Sequence, residues 1–317
     1  MMNPQHYTDF DHGITAIDTG YVRPNFDASH LIVRDGRAAF VDTGTSLSLD
    51  RLLDGLERAN VTPADVEYVF ITHVHLDHAG GAGALMQRLP NARCVVHPRG
   101  ARHLVDPGKL IAGTIAVYGE AEYKRLYGEI VPIPVERVVE SEDRACFNFG
   151  DSAFELIDTP GHALHHYSIV DPTSNSIFSG DTFGVSYRIF DTVNGAFVMP
   201  ATTPTHFDPA QAHASVDRLM SYAPQAMFLT HYSRVTDLRR LAADMHLGID
   251  QYVDIARTCA GADNRELCMK EKMHDWLCER LAVHGCELPD ETRDLWLAMD
   301  IDLNVQGLAV WLDRTGD

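Results

Sequence analysis

Short runs of alternating apolar and polar residues, punctuated by Gly and Asp, open the chain. "GITAIDTGY", "SHLIVRDG" and "AAFVDTG" predict successive antiparallel strands. "SLSLDRLLDGLERAN" then carries apolar residues at helical spacing. "VEYVFIT" reads as a largely apolar strand, "AGGAGALMQRL" as a helix that starts on small residues, and "ARCVVH" as another strand. Strand, loop, helix and strand in that order predict an α/β layered fold.

From Ala101 to Asp143 the chain turns more polar and helix-like, with "GEAEYKRLYGEI" followed by the Pro-interrupted "VPIPVERV". Strands resume in "AFELIDTPGH", "HHYSIVDP" and "SIFSGDTF". Gly184 to Phe207 shows no clear period, and a helix start follows, with Asp208 as cap and Pro209 at the first helical position. "AMFLTHYS" is the last apolar strand. From about Val235 three amphipathic helices are expected, so the domain boundary is placed there, with 1–234 as a layered domain and 235–317 as a helical region.

Composition narrows the class. Of 317 residues, 26 are Lys or Arg and 45 are Asp or Glu, and the net charge of −19 repels phosphate backbones, so nucleic acid is not an expected partner. No apolar run reaches the eighteen or so residues of a membrane span. The start, "MMNPQHYTDFDHG", lacks the basic and apolar stretches of a signal peptide, and a cytoplasmic protein that does not engage membranes is expected. The six cysteines (Cys94, Cys146, Cys259, Cys268, Cys278 and Cys286) form no C-x-x-C pair and read as reduced, mostly buried thiols rather than a zinc knuckle.

The chemistry is concentrated in "VFITHVHLDHAGGAGAL", where His73, His75, Asp77 and His78 crowd one short turn. Packing alone does not favour that crowding. Imidazole with carboxylate suits Zn, Mn or Fe rather than calcium, whose ligands are oxygen. Four such groups hardly all reach one ion, but they can divide between two. Further candidates stand where apolar runs end: His162 in "DTPGHALHH", Asp181 in "FSGDTFG" and His231 in "FLTHYS". His165 and His166 are expected to face the sheet interior or back the ligands, and His97 and His103 to be surface or packing residues.

H-x-H-x-D-H followed by strand-end His, Asp and His resembles the metallo-β-lactamase superfamily, closest in spacing to its glyoxalase II and lactonase-like hydrolase branch. The resemblance covers roughly the first 234 residues. It implies a four-layer αββα sandwich with the C-terminal helices as an appendage. It also implies two divalent metal ions, zinc first, with iron and manganese as alternatives. His73, His75 and His162 would hold one ion, Asp77, His78 and His231 the other, and Asp181 would bridge both. A metal-bridged hydroxide would attack the substrate, with Asp77 orienting it and moving its proton. "FVDTG" matches a family element in which Asp42 supports the metal loop from behind, although an Asp there also suits an Asx turn.

The branch is less defined. Acyl-homoserine lactonases carry a Tyr after the bridging Asp, and Tyr187 stands at a loosely similar distance. The acidic C-terminal region, with scattered Lys and Arg, does not support glutathione binding, the net charge opposes the tRNA-processing branch, and seven intact ligands oppose the single-iron dioxygenases. Phe183, Tyr187, Phe190, Phe197 and Phe207 lie in an aperiodic stretch after Asp181 and are candidates for an apolar pocket wall; the same residues would also serve as core beneath the C-terminal helices. The expected function is hydrolysis of an ester-like bond, thioester or lactone, in a small substrate with an apolar group. Alternatives are a phosphodiesterase or phosphotriesterase, for which only Arg188 lies near Asp181 in sequence, and a non-catalytic metal-bearing signalling protein. The helical region would cover the site or form a homodimer surface.

Overall fold

The computed structural model describes residues 6–202 and 206–316. The first residues of the N-terminal segment, and 203–205 of the aromatic stretch, therefore lie outside the described residues. The chain divides into two compact units. One runs to Asp158 and takes up His165–Gly180 and Thr230–Ser233; the other holds Thr159–Leu164, Asp181–Leu229 and the chain from Arg234 onward.

The first unit begins with strands β1 (Tyr7–Phe10), β2 (Ile14–Asp18), β3 (Ala28–Arg34) and β4 (Arg37–Val41). Helix α1 (Leu49–Arg58) leads to β5 (Val66–Ile71), and α2 (Leu76–Ala79) and α3 (Ala82–Arg88) lead to β6 (Arg93–Val96). Helices α4 (Pro98–Val105), α5 (Gly108–Tyr118) and α6 (Glu120–Tyr127) precede β7 (Val138–Glu140), and β8 (Cys146–Phe149), β9 (Ser152–Asp158), β10 (Tyr167–Asp171) and β11 (Ser176–Gly180) follow. β1 to β7 lie in sequence order in one sheet, antiparallel up to β4 and parallel from there. The change of sense follows from the connections: tight turns serve antiparallel neighbours, whereas α1 and the α2–α3 pair are the crossovers that parallel neighbours require. In the second sheet β8, β9, β10 and β11 pair antiparallel with their chain neighbours.

The two sheets face each other through aromatic side chains. Phe70 of β5 meets Phe154 of β9 edge-on at 5.4 Å between ring centroids, and His30 of β3 meets Phe178 of β11 at 5.3 Å. The buried hydroxyl of Tyr167 donates to the carbonyl of Val95 at 2.6 Å, which satisfies a polar group inside that core. On the other face of the first sheet, Leu52 and Leu56 of α1, Leu85 and Met86 of α3 and Leu104 of α4 join one buried apolar cluster with Ile17, Leu31 and Val69. Leu52 and Leu56 are one helical turn apart, so the spacing read from the sequence puts both on the sheet.

The second unit contains α7 (Pro209–Ser221), β12 (Ala226–Leu229), α8 (Leu238–Cys259), α9 (Arg265–Val283) and α10 (Asp290–Thr315), and β13 (Ser233–Val235) begins just after His231. Asp208 caps α7 by accepting from the Gln211 amide at 3.0 Å, as its position before Pro209 predicted. The layered α/β class and the C-terminal helical region are both present; β1, β7 and β8 are short strands the sequence pattern did not mark.

The cysteine expectation fails. Cys259 and Cys268 form a disulfide joining the end of α8 to the start of α9, across a short loop that sets their Cα atoms 5.8 Å apart, within disulfide range. Of the four free thiols only that of Cys94 is buried. Among the described residues no helix is long and apolar enough to cross a membrane.

Candidate metal centre

β4 and β5 are parallel neighbours, paired Val41 to Phe70, so the loops leaving them emerge side by side. Asp42 follows β4 and Thr72 and His73 follow β5. The Asp42 backbone turns into the left-handed region at φ 56°, which Asp tolerates better than most residues, and its carboxyl group is wholly buried. Oδ1 accepts from the Thr72 amide at 2.8 Å and the Thr72 hydroxyl at 3.0 Å. Oδ2 accepts from the hydroxyls of Thr72 and Thr230, both at 2.8 Å, and from His78 Nδ1 at 2.9 Å. The Asp42 carboxylate thus ties together the starts of three loops.

These bonds fix tautomers. A carboxylate or a carbonyl only accepts, so the imidazole nitrogen bonded to it carries the proton and the lone pair lies on the other nitrogen. His78 gives its Nδ1 proton to Asp42, and His231 gives its own to the Phe26 carbonyl at 2.9 Å. In the second unit His162 gives its Nδ1 proton to the Ala201 carbonyl at 2.9 Å. Thr72 spends its hydroxyl proton on Asp42 and accepts from His73 Nδ1 at 3.2 Å. All four rings therefore present an Nε2 lone pair.

Within the first unit His73 Nε2 lies 2.7 Å from His75 Nδ1, and the His73 and His78 rings are 4.0 Å apart between centroids. His231 Nε2 stands 3.5 Å from Asp77 Oδ2, and Asp77, His78 and His231 each offer a ligand atom within 4.8 Å of the others. Asp77, with 22% side-chain exposure, is the most open of these three. In the second unit His162 Nε2 stands 3.4 Å from Asp181 Oδ2. In the tautomers fixed above, each imidazole turns a lone pair on a carboxylate oxygen. A cation between them, or a second ring proton, removes that repulsion, so the donor set fits a divalent metal.

Two glycines hold the flanking turns. A side chain on Gly180, at φ 50° just before Asp181, would lie 2.5 Å from His166 Nε2 and 2.9 Å from the Thr72 hydroxyl. One on Gly161, at φ 131° just before His162, would lie 2.4 Å from the backbone of Ala212 in α7. His166 stacks on His73 at 5.0 Å and His165 lies 5.7 Å from His75, so both lie against rings of the candidate ligands. His97 is a packing residue that caps α4, and His103 is half-buried with its ring 6.4 Å from His165.

The structure also adds residues that the sequence did not single out: Thr72, Thr230, Tyr21, Asp27 and Tyr127. Burial raises the Asp27 carboxyl to about 7, opposed by the nearby His231 and His78, and its Oδ2 accepts from Thr19 at 2.5 Å. Tyr21 and Tyr127 join hydroxyls at 2.9 Å, and burial, with the charge of Asp77, pushes both phenols above their usual range. A sequence signal existed for the threonines: Thr72–His73 and Thr230–His231 are the same Thr-His doublet at the end of an apolar strand.

Phe183, Tyr187, Phe190, Phe197 and Phe207 are all buried. Tyr187 donates its hydroxyl to Asp300 at 3.0 Å and lies 5.2 Å from the Trp296 ring; Phe190 lies 6.4 Å from the same ring. Phe207 packs near Trp311 and lines a crevice of about 10 Å³ with His162, Asp181, Pro200, Met245 and Ile249. Arg188 donates to the Ser186 and Arg234 carbonyls and pairs with Asp191 at 3.3 Å.

The metallo-beta-lactamase superfamily model matches residues 22–231. A metallo-beta-lactamase fold-containing protein of Sulfurisphaera tokodaii is 27% identical over 226 residues, covering 69% of this chain and 78% of its own length. A hydroxyacylglutathione hydrolase of Xanthomonas axonopodis is 28% identical over 198 residues, 61% of this chain, and this chain spans 58% of that relative's length. An N-acyl homoserine lactonase of Rhizobium radiobacter is 29% identical over 124 residues, 39% of this chain and 43% of that one. The crystal structure of an archaeal superfamily member from Sulfolobus tokodaii superposes with a TM-score of 0.65, covering 94% of this chain and 98% of that one at 22% identity, a likeness of fold. The ordered histidines, the buried carboxylate behind them and the extent of the family match lead to one assignment: the chain belongs to the metallo-beta-lactamase superfamily.

Proposed function

We propose that this metal-dependent hydrolase takes two divalent ions, zinc first, and cleaves an ester-like bond, a thioester or lactone, in a small substrate with an apolar group. In this reading His73, His75 and His162 serve one ion, Asp77, His78 and His231 the other, and Asp181 both. The carrying observation is the set of four imidazoles whose Nδ1 protons are committed to Asp42, Thr72, Phe26 and Ala201, so that each offers Nε2 as a ligand. When bound, the ions supply a nucleophile at neutral pH and polarise the scissile carbonyl. Asp77 is the open carboxylate beside His231; it orients the attacking water and takes up its proton. Two relatives named for a hydroxyacylglutathione and an N-acyl homoserine lactone support an acyl bond. Arg188, held by two carbonyls and Asp191, supports an anionic phosphoester less well.

The test is a substrate panel on metal-loaded protein: nitrophenyl esters, thioesters, lactones and bis-p-nitrophenyl phosphate. Turnover of one of the acyl substrates, falling by about 10²–10⁴ in Asp77→Asn, is expected. Hydrolysis of the phosphodiester alone would replace the acyl reading. No turnover with both ions bound would favour the signalling role.

A further inference from the structure

We propose that His274, Cys278 and Asp294 form a second metal site, independent of the first, that takes a zinc-class divalent ion and clips α9 to α10. His274 and Cys278 are one turn apart on α9 and share a face, and Asp294 faces them from the first turns of α10. Each offers one ligand atom, and the three atoms lie within 4.8 Å of one another. His274 Nε2 is 3.0 Å from Asp294 Oδ1, and Cys278 Sγ is 3.6 Å from the same nitrogen.

The sulfur–nitrogen edge is already the one a zinc ion needs, and the nitrogen–oxygen edge would open from 3.0 Å to about 3.3 Å on binding. With Zn–S of about 2.3 Å and Zn–N of about 2.05 Å at the tetrahedral angle, the S···N edge comes to about 3.6 Å. Thiolate, imidazole and carboxylate together select a borderline ion over calcium or magnesium. A Cys-His-Asp nucleophile fits less well. A relay needs the thiol on one ring nitrogen and the carboxylate on the other, whereas Cys278 Sγ is nearer to Nε2, the nitrogen that already meets Asp294, than to Nδ1 at 3.9 Å.

The surroundings suit a cation with one open position. A surface cavity of about 580 Å³ adjoins the cluster, lined by Lys270, Glu271, His274, Asp275, Asp294 and Asp302 among others, so acidic groups outnumber basic ones. Lys270 is itself paired with Asp302 at 2.7 Å. Arg293 competes for Asp294, reaching Oδ1 at 2.9 Å, but a carboxylate has a second oxygen to offer.

Cobalt(II), added to the metal-free full-length chain under reducing conditions, tests this directly. The proposed first site offers only nitrogen and oxygen ligands, so a thiolate-to-cobalt charge-transfer band arises outside it, and its loss in Cys278→Ser distinguishes the second site from the other thiols. A band is expected that saturates near one cobalt per chain, persists when Asp181→Ala weakens the first site, and is displaced by zinc. It should vanish in Cys278→Ser and His274→Ala and shift to at least tenfold higher cobalt in Asp294→Asn, with circular dichroism unchanged. Absence of the band in the wild type, or its survival in Cys278→Ser or His274→Ala, would overturn the proposal. A zinc-induced rise in Tm that persists in Asp181→Ala and is lost in Cys278→Ser supports the clip; a rise of the same size in Cys278→Ser overturns it.

Discussion

Thr72 and Thr230 donate their hydroxyls to the same oxygen of Asp42, each at 2.8 Å, and each is the residue before a proposed ligand histidine. Two strand ends far apart in the chain are thereby pinned to one buried carboxylate, which also holds the His78 ring. In the proposed centre Asp42 would act through its hydrogen bonds, by fixing where the imidazoles point.

Asp42→Asn is therefore expected to weaken metal binding without touching a ligand. An amide accepts through one oxygen only and turns an NH2 toward groups that are themselves donors, leaving hydroxyl or imidazole protons without an acceptor. Outer contacts of this kind are worth about 10- to 100-fold in metal affinity. Competition with a chelator measures it, and an affinity equal to wild type would show that the histidines orient themselves.

Much of this arrangement was legible in the sequence, because strand periodicity and a turn-dense His-Asp cluster are local signals. The H-x-H-x-D-H run follows β5 directly, and His231 ends an apolar run as expected. The support for those rings was less legible. Phe26 holds His231 through a backbone carbonyl that any residue would supply, so side-chain identity carries no trace of it. The Cys259–Cys268 disulfide was missed for a similar reason: it depends on where two helices meet, which the spacing of the two cysteines does not encode.

Elemental analysis of protein with Cys278→Ser in place, which removes the proposed second site, should find close to two ions per chain. The seven proposed ligands exceed what one tetrahedral ion uses. Asp181→Ala should then lower the content at both positions and His231→Ala mainly at one. Two ions retained in Asp181→Ala would remove the bridging role.

His30 sets an acid sensitivity separate from the ligands. It lies in the core against Phe178, and burial holds its imidazole down at about 3, below the ordinary 6.5. Between those values the unfolded chain binds the additional proton, so stability contributed by neutral His30 is complete above pH 6.5 and falls as pH drops below it. From pH 7.5 to 5.5 the loss is about 1.4 kcal/mol. In urea titrations of metal-free protein, His30→Gln should lose less than wild type by about that amount over the same interval. Equal losses would mean that His30 does not carry the sensitivity.

The aromatic stretch after Asp181 separates into two expectations. Phe190 packs among Tyr187, Phe197 and Trp296 at centroid distances of 6.1 to 6.4 Å. Phe190→Ala should cost about 3–5 kcal/mol of stability, with all substrates falling together as folded protein is lost. Phe207 instead lines the crevice beside His162 and Asp181. Its truncation removes apolar contact next to the proposed centre, and pocket contacts of that size are worth about 1–3 kcal/mol in discrimination. Long-chain acyl substrates should lose about tenfold or more in kcat/KM in Phe207→Ala, while acetyl-sized esters keep theirs. Melting curves recorded beside the kinetics distinguish the two effects. If Phe207→Ala lowers long and short substrates equally and drops Tm as far as Phe190→Ala does, Phe207 is core and the apolar wall must lie elsewhere.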